Sequence, residues 1–152
     1  MENLRIDDLS VGDWVCAEQL CGVGNESRLT PPMRVVSLGS GAGGWVNLEI
    51  DPEQGDPFEY EPSEIRGVPI TTEILEKNGW TNDGMYAFLR IDEHRHLEYY
   101  FHEHRLRKYY CGVDEWQNHA KVNDITFAVH CYSVHQLQHA LRLARVDKEI
   151  KM

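Results

Sequence analysis

Met33-Arg34-Val35-Val36-Ser37-Leu38, then Gly39-Ser40-Gly41-Ala42-Gly43-Gly44, then Trp45-Val46-Asn47-Leu48-Glu49-Ile50: the residues after the glycines decide the fold class. The glycines satisfy G-x-G-x-x-G and come after a strand-like run. In a dinucleotide-binding unit a helix must begin there, because its N-terminus holds the pyrophosphate. Trp45 instead begins an alternation of apolar and polar residues, the period of a strand with one wet face. The stretch therefore reads as two strands joined by a flexible glycine connection, and the phosphate-loop reading falls.

Working outward, short strands continue on both sides. Upstream, Gly12-Asp13 supplies a turn and Trp14-Val15-Cys16 has β character, with a Gly-, Asn-, Ser- and Pro-rich loop over residues 21–32. Downstream come an acidic turn over 51–57, a short strand at Phe58-Glu59-Tyr60, a single helical turn at Pro62-Ser63-Glu64-Ile65, and an edge at Gly67-Val68-Pro69-Ile70. Strands this short, separated by turns, predict a small SH3-like β barrel over residues 1–70.

Residues 71–152 have another pattern. Thr71 suits the cap of a short helix through Ile74 and Leu75, and Asn78-Gly79 suits its stop. Strands are expected over 85–91, over the aromatic stretch 97–110, and at Ile125-Thr126-Phe127-Ala128-Val129. The last element is a helix opened by the capping box Ser133-Val134-His135-Gln136, with Val134, Leu137, Ala140, Leu141 and Ala144 on its apolar stripe and His135, His139 and Arg142 opposite. The fold class expected is α+β: the barrel of 1–70, then an antiparallel sheet of three or four strands with a short helix and a capped C-terminal helix over 71–152.

The 152 residues carry 15 basic and 25 acidic side chains, a formal net charge of -10. Residues 1–80 hold five of the basic and 15 of the acidic ones, so the whole excess lies there. Such a surface repels a duplex phosphate backbone, which makes a nucleic-acid-binding barrel a minor alternative. No apolar run approaches the roughly 20 residues that span a bilayer, and Met1-Glu2-Asn3-Leu4-Arg5 does not open a secretory signal. A cytoplasmic protein with no membrane partner is expected. Cys16, Cys21, Cys111 and Cys131 form no C-x-x-C and read as reduced thiols.

Histidines offer the main alternative chemistry. His94-x-His96 and His102-x-His104 place each pair on one strand face, and a hairpin that brought them together would present four imidazoles to zinc or nickel. Interleaved Arg95, Glu103 and Arg105 favour plain polar strand faces, so no metal or cofactor is assigned. His102-Glu103 lacks the second histidine of H-E-x-x-H, since position 106 is Leu. No G-x-S-x-G and no P-loop lysine occurs, so no catalytic residue is assigned. Aromatics are better guides: Tyr99-Tyr100 and Tyr109-Tyr110 must each put one ring on either face of a strand, and exposed rings mark interfaces.

Three segments occurring in order resemble a family. They are Leu9-Ser10-Val11-Gly12-Asp13-Trp14-Val15, then Val68-Pro69-Ile70-Thr71 with Glu73-Ile74-Leu75-Glu76-Lys77-Asn78-Gly79-Trp80, then Val134-His135-Gln136-Leu137-Gln138. Together they are similar to a family of small proteins of Bacteroides-type gut bacteria, their phages and mobile elements. The resemblance implies a cytoplasmic, often element-encoded protein and transfers no activity, cofactor or catalytic residue. The function expected is non-enzymatic: an acidic module that binds another protein, in one form a phage protein inhibiting a host enzyme. The binding residues expected are Trp14, Trp45, Tyr99, Tyr109, His135 and Gln138.

Overall fold

Residue Val15 has strand neighbours on both sides, Met33 on one edge and Gly67 on the other, and this double pairing organises the first sheet. The computed structural model describes residues 4–21, 26–39, 44–49, 57–110 and 124–152. It divides into two compact units, Met1–Pro69 with Ser133–His135, and Ile70–Tyr132 with Gln136–Met152.

In the first unit β1 (Trp14–Cys21), β2 (Glu26–Leu29), β3 (Met33–Gly39), β4 (Trp45–Glu49), β5 (Phe58–Tyr60) and β6 (Ile65–Gly67) form one antiparallel sheet, bent into a half-barrel. β2 falls inside the stretch expected to be loop. Pro31 and Pro32 interrupt the edge facing β1, because proline offers no N–H to a ladder. Thr30 bridges the gap: its N–H donates to the Ala17 carbonyl at 2.8 Å, and its hydroxyl accepts from the Ala17 N–H at 2.9 Å. β2 and β3 thus run as one interrupted strand along β1, with β6 on its far side. Alternation fills the interior: Val15, Ala17, Met33, Val35, Val46, Leu48, Tyr60 and Ile65 are buried together with Leu9. Gly12, at φ 94°, turns the chain into β1, and the buried Asp13 carboxylate accepts from the Ser10 N–H at 2.8 Å.

The second unit opens with α1 (Thr72–Lys77). Its cap is Thr71, whose hydroxyl accepts from the Ile74 N–H. It ends at Gly79, φ 84°, where Gly79 N–H donates to Glu76 and Trp80 N–H to Leu75, the paired closure of a left-handed helix end. Five antiparallel strands come next: β7 (Thr81–Asn82), β8 (Tyr86–Arg90), β9 (Arg95–Tyr100), β10 (Arg105–Tyr110) and β11 (Asp124–His130), in the order β11-β10-β9-β8-β7. The strand-like stretch 97–110 is divided between two strands, and the sheet has five strands where three or four were expected. The chain turns over 101–104 with His104 at φ 49°, a left-handed residue without a glycine to announce it. Ala87, Leu89, Leu97, Tyr99 and Leu106 form the buried face of this sheet.

The last element is α2 (Val134–Leu143), buried beyond its expected stripe. His135, expected opposite the apolar stripe, is buried, because the segment Ser133–His135 is gathered into the first unit: Val134 N–H donates to Val68 O at 2.8 Å and Ser133 bridges Pro69. Gln136 reaches back to the Tyr132 N–H at 2.7 Å, one residue earlier than in a capping box, while the Ser133 hydroxyl pairs with His135. Among the described residues no helix is long and apolar enough to cross a membrane.

A methyl group added at Gly79 meets no atom within 4 Å, so the cost of Gly79→Ala is backbone strain alone. Denaturant unfolding is expected to show a loss of about 1 kcal/mol, as left-handed alanine requires. In the β8–β9 turn, Asp92 accepts from the Arg95 guanidinium at 2.7 Å and from the His94 and Arg95 N–H groups. The Arg95 side chain first, then these backbone bonds, hold its carboxyl down at about 2. Its contribution is therefore complete above the ordinary carboxylate range and disappears as pH falls toward about 2. Asp92→Asn is expected to lower stability at neutral pH and to flatten the acid limb of a melting-temperature profile.

Candidate functional site

Pairing in register sets the outer face of the second sheet. Tyr86 lies opposite Tyr100, Phe88 opposite Glu98 and Arg90 opposite His96. Across β10, Tyr100 lies opposite Arg105, Glu98 opposite Arg107 and His96 opposite Tyr109. Every second residue of three adjacent strands is thus aromatic or charged, on the face away from Leu97 and Leu106.

These side chains pack into one another. The His96 ring lies between Phe88, 4.8 Å away, and Tyr109, 5.0 Å away, both near parallel. Tyr86 and Tyr100 stack at 5.5 Å, and the Arg107 guanidinium sits over the Tyr100 ring at 4.7 Å. Polar atoms form a chain: His96 Nε2 is 3.5 Å from Glu98 Oε1, the Tyr100 hydroxyl donates to Glu98 Oε2 at 2.5 Å, and the Tyr100 and Tyr109 hydroxyls are 3.4 Å apart. His96 is only 2% exposed and the Glu98 side chain 12%, although both lie on the face opposite the sheet's apolar residues.

Burial sets the protonation states. It pushes the Glu98 carboxyl up, but hydrogen bonds from His96, Tyr100 and Tyr109 outweigh it, so the group ends below its ordinary value. Burial, then the bond to Glu98, raises Tyr100; burial and Asp83 raise Tyr86. A hydrogen bond to Tyr109 holds the Arg107 charge still more firmly. At neutral pH the platform offers an ionised carboxylate, protonated phenols and a guanidinium. These groups stack, donate and accept; none of these platform side chains is a serine, threonine or cysteine nucleophile.

The residues singled out from sequence are divided between the units. In the first, Trp14 is half-buried under the Arg34 guanidinium at 5.5 Å, and Trp45 is 42% exposed, against Gly39. His135 is also there, 2% exposed, with Nδ1 2.8 Å from the Ser133 hydroxyl. A serine beside a histidine resembles a nucleophile and its base. Both are buried, and a Cβ on Gly67 would stand 2.8 Å from Ser133 Cβ, so the pair is sealed into packing. In the second unit, Tyr109 belongs to the platform. Tyr99 belongs to the opposite, buried face, its hydroxyl donating to Cys131 O at 2.8 Å, and Gln138 is buried on α2.

The histidine pairs are not brought together. His94 and His96 stand at the start of β9, while His102 and His104 lie in the turn beyond its end. Among the described residues no three His, Cys, Asp or Glu side chains gather as metal ligands. Cys16 and Cys131 are buried free thiols, and burial pushes Cys131 up to about 12. The side chain of Cys21, residue Cys111 and glycine-loop residues 40–43 lie outside the described residues; Gly44, at φ 70°, leads directly into β4.

Tyr86, Phe88, His96, Glu98, Tyr100 and Arg107 were missing from the expected binding set. Their signal is period-two spacing within three strands, and it emerges only once the turn at 101–104 is placed. Comparison of the chain with family models, with curated proteins and with solved structures finds no match.

Tyr100→Phe removes the hydroxyl that donates to Glu98. Carboxyl-carbon NMR titration is expected to show the Glu98 pKa rising, since the ionised form loses a donor. Unfolding is expected to show a loss of about 1.5–3 kcal/mol, as for a lost hydrogen bond to a charged group.

Proposed function

We propose that this protein is a non-enzymatic protein-binding module whose contact face is the platform of β8, β9 and β10. The observation that carries this reading is the packed set Tyr86, Phe88, Tyr100 and Arg107 on the sheet face away from the apolar residues. Tyrosine and arginine on a rigid support are the residue types that dominate protein-interface energetics. Their low remaining freedom lessens the entropy lost on docking. The same geometry weighs against single-stranded nucleic acid. Bases stack on open ring faces, and here Tyr86, Tyr100, Phe88, His96 and Tyr109 already stack on one another.

Charge defines the partner further. The acidic excess of residues 1–80 favours a basic partner and speeds the encounter. In the more specific form, the protein is a cytoplasmic product of a phage or mobile element that occupies a basic groove of a host enzyme. The first sheet supports an SH3-like reading: β6-β1-β3-β4-β5 is its order around β1, with a 3-10 turn at Pro62–Glu64 just before β6. Trp45, at the head of β4, and Phe58, at the start of β5, are exposed rings of that unit.

The test is capture of partners from host lysate on immobilised protein. A partner held by the native chain is expected to be lost with Tyr86→Ala/Arg107→Ala, and to bind about tenfold or more weakly when salt rises from about 0.05 to about 0.5 M, where exposed charges are screened. Retention by a double variant of unchanged melting temperature counts against the platform. Retention of an oligonucleotide at low salt counts against a protein partner.

A further inference from the structure

Strands at the border of a sheet present unpaired N–H and C=O groups, and native proteins blunt them with brevity, charge or proline. Most border strands here follow that rule. β7 has two residues, β5 and β6 have three each, and β2, with Glu26 and Arg28, runs into Pro31 and Pro32. β11 does not. It has seven residues, Asp124–His130, without lysine, proline or glycine. Among the described residues its one ladder is with β10, and Thr126, Ala128 and His130 are exposed.

The backbone direction of this edge is fixed. Cys131 N–H donates to His104 O at 2.8 Å, so alternation along the strand turns Val129 toward β10 and the N–H and C=O of Ala128 and His130 away from it. Near its start β11 carries a bulge: Lys108 lies opposite Phe127 and Tyr109 opposite Ile125, with Thr126 the extra residue. The regular edge is therefore Phe127-Ala128-Val129-His130, and it is self-complementary. Two copies placed antiparallel about Ala128 set Ala128 against Ala128, where each donates to and accepts from the other. They also set Phe127 against Val129 twice, an aromatic and β-branched pair of the kind that stabilises sheets. Both side chains are only half-buried in the single chain. The alanine at the axis brings neither bulk nor charge against its own copy.

We propose that β11 is the seam of a two-fold dimer, in which a second copy of this chain adds its own β11 antiparallel, centred on Ala128. The pairing joins two five-stranded sheets into one. Ala128 lies opposite Arg107, and Arg107 opposite Glu98, so Ala128 shares the face of the β8–β10 platform. The two-fold axis stands perpendicular to the joined sheet, and both platforms look to the same side. The seam doubles the valency of that face without depending on the platform having a partner, so either reading can fail alone.

Sedimentation equilibrium of the full chain tests the seam. The weight-average mass is expected to rise from one chain toward two between about 1 and about 500 µM, as suits a small interface. Ala128→Lys is expected to weaken association about tenfold or more, because like charges then oppose each other on the axis. Ala128→Glu is expected to do the same, and an equimolar mixture of the two variants to restore association. A chain that stays monomeric throughout that range overturns the proposal, as does a dimer that both variants leave unchanged. Hydrogen exchange of the native chain needs no variant. The Ala128 amide is expected to exchange about tenfold or more slowly at the high concentration than at the low, with the β9 amides unchanged. An Ala128 amide indifferent to concentration, whether fast or already protected by another part of the chain, overturns the proposal.

Discussion

Glu98 is the constraint on which the second unit depends. A carboxylate with little solvent left must find donors, and a missing one is expensive. His96, Tyr100 and Tyr109 supply them, two from β9 itself and one across the ladder on β10. Sliding β10 by one residue would exchange Arg107 and Tyr109 for Leu106 and Lys108 beside Glu98 and take Leu106 off the apolar face. The polar network on one face and Leu97, Tyr99 and Leu106 on the other therefore specify the same register. The rings are locked by that register, so the platform is ordered within the sheet itself.

The first unit reaches order by another route. Its interior is apolar, and its special features handle interruptions: Thr30 spans the double proline, Asp13 completes the turn into β1, and Ser133 fills the space left by Gly67. His135 shows how context changes a residue's meaning. On an isolated helix it belongs to the polar side; gathered with Gly67 and Ser133 it is a buried partner of a hydroxyl.

Much of the local structure could be read from sequence, for physical reasons. Thr71 and Gly79 bound α1 because capping hydroxyls and left-handed glycines act locally. Trp45-Val46-Asn47-Leu48 announced a strand through alternation and thereby removed the nucleotide-loop reading. The turn at 101–104 stayed hidden because His104 takes a left-handed conformation without glycine, asparagine or proline nearby. With that turn unplaced, the partners across β8, β9 and β10 could not be aligned. Tyr109 is in the expected binding set, but not His96, Glu98, Tyr100 and Arg107, which pack and bond around it. The histidines do not pair across a hairpin for the same reason: His102 and His104 lie in the turn between β9 and β10, so the two H-x-H pairs stand at opposite ends of β9.

In the proposed function a protein partner docks on the outer face of β8, β9 and β10. Hydrogen exchange measured on the complex with a captured partner tests it most directly. Added protection is expected in peptides covering 86–90, 95–100 and 105–109, greatest around Tyr100 and Arg107. Protection confined to residues 4–69, with those three strands unchanged, would contradict it.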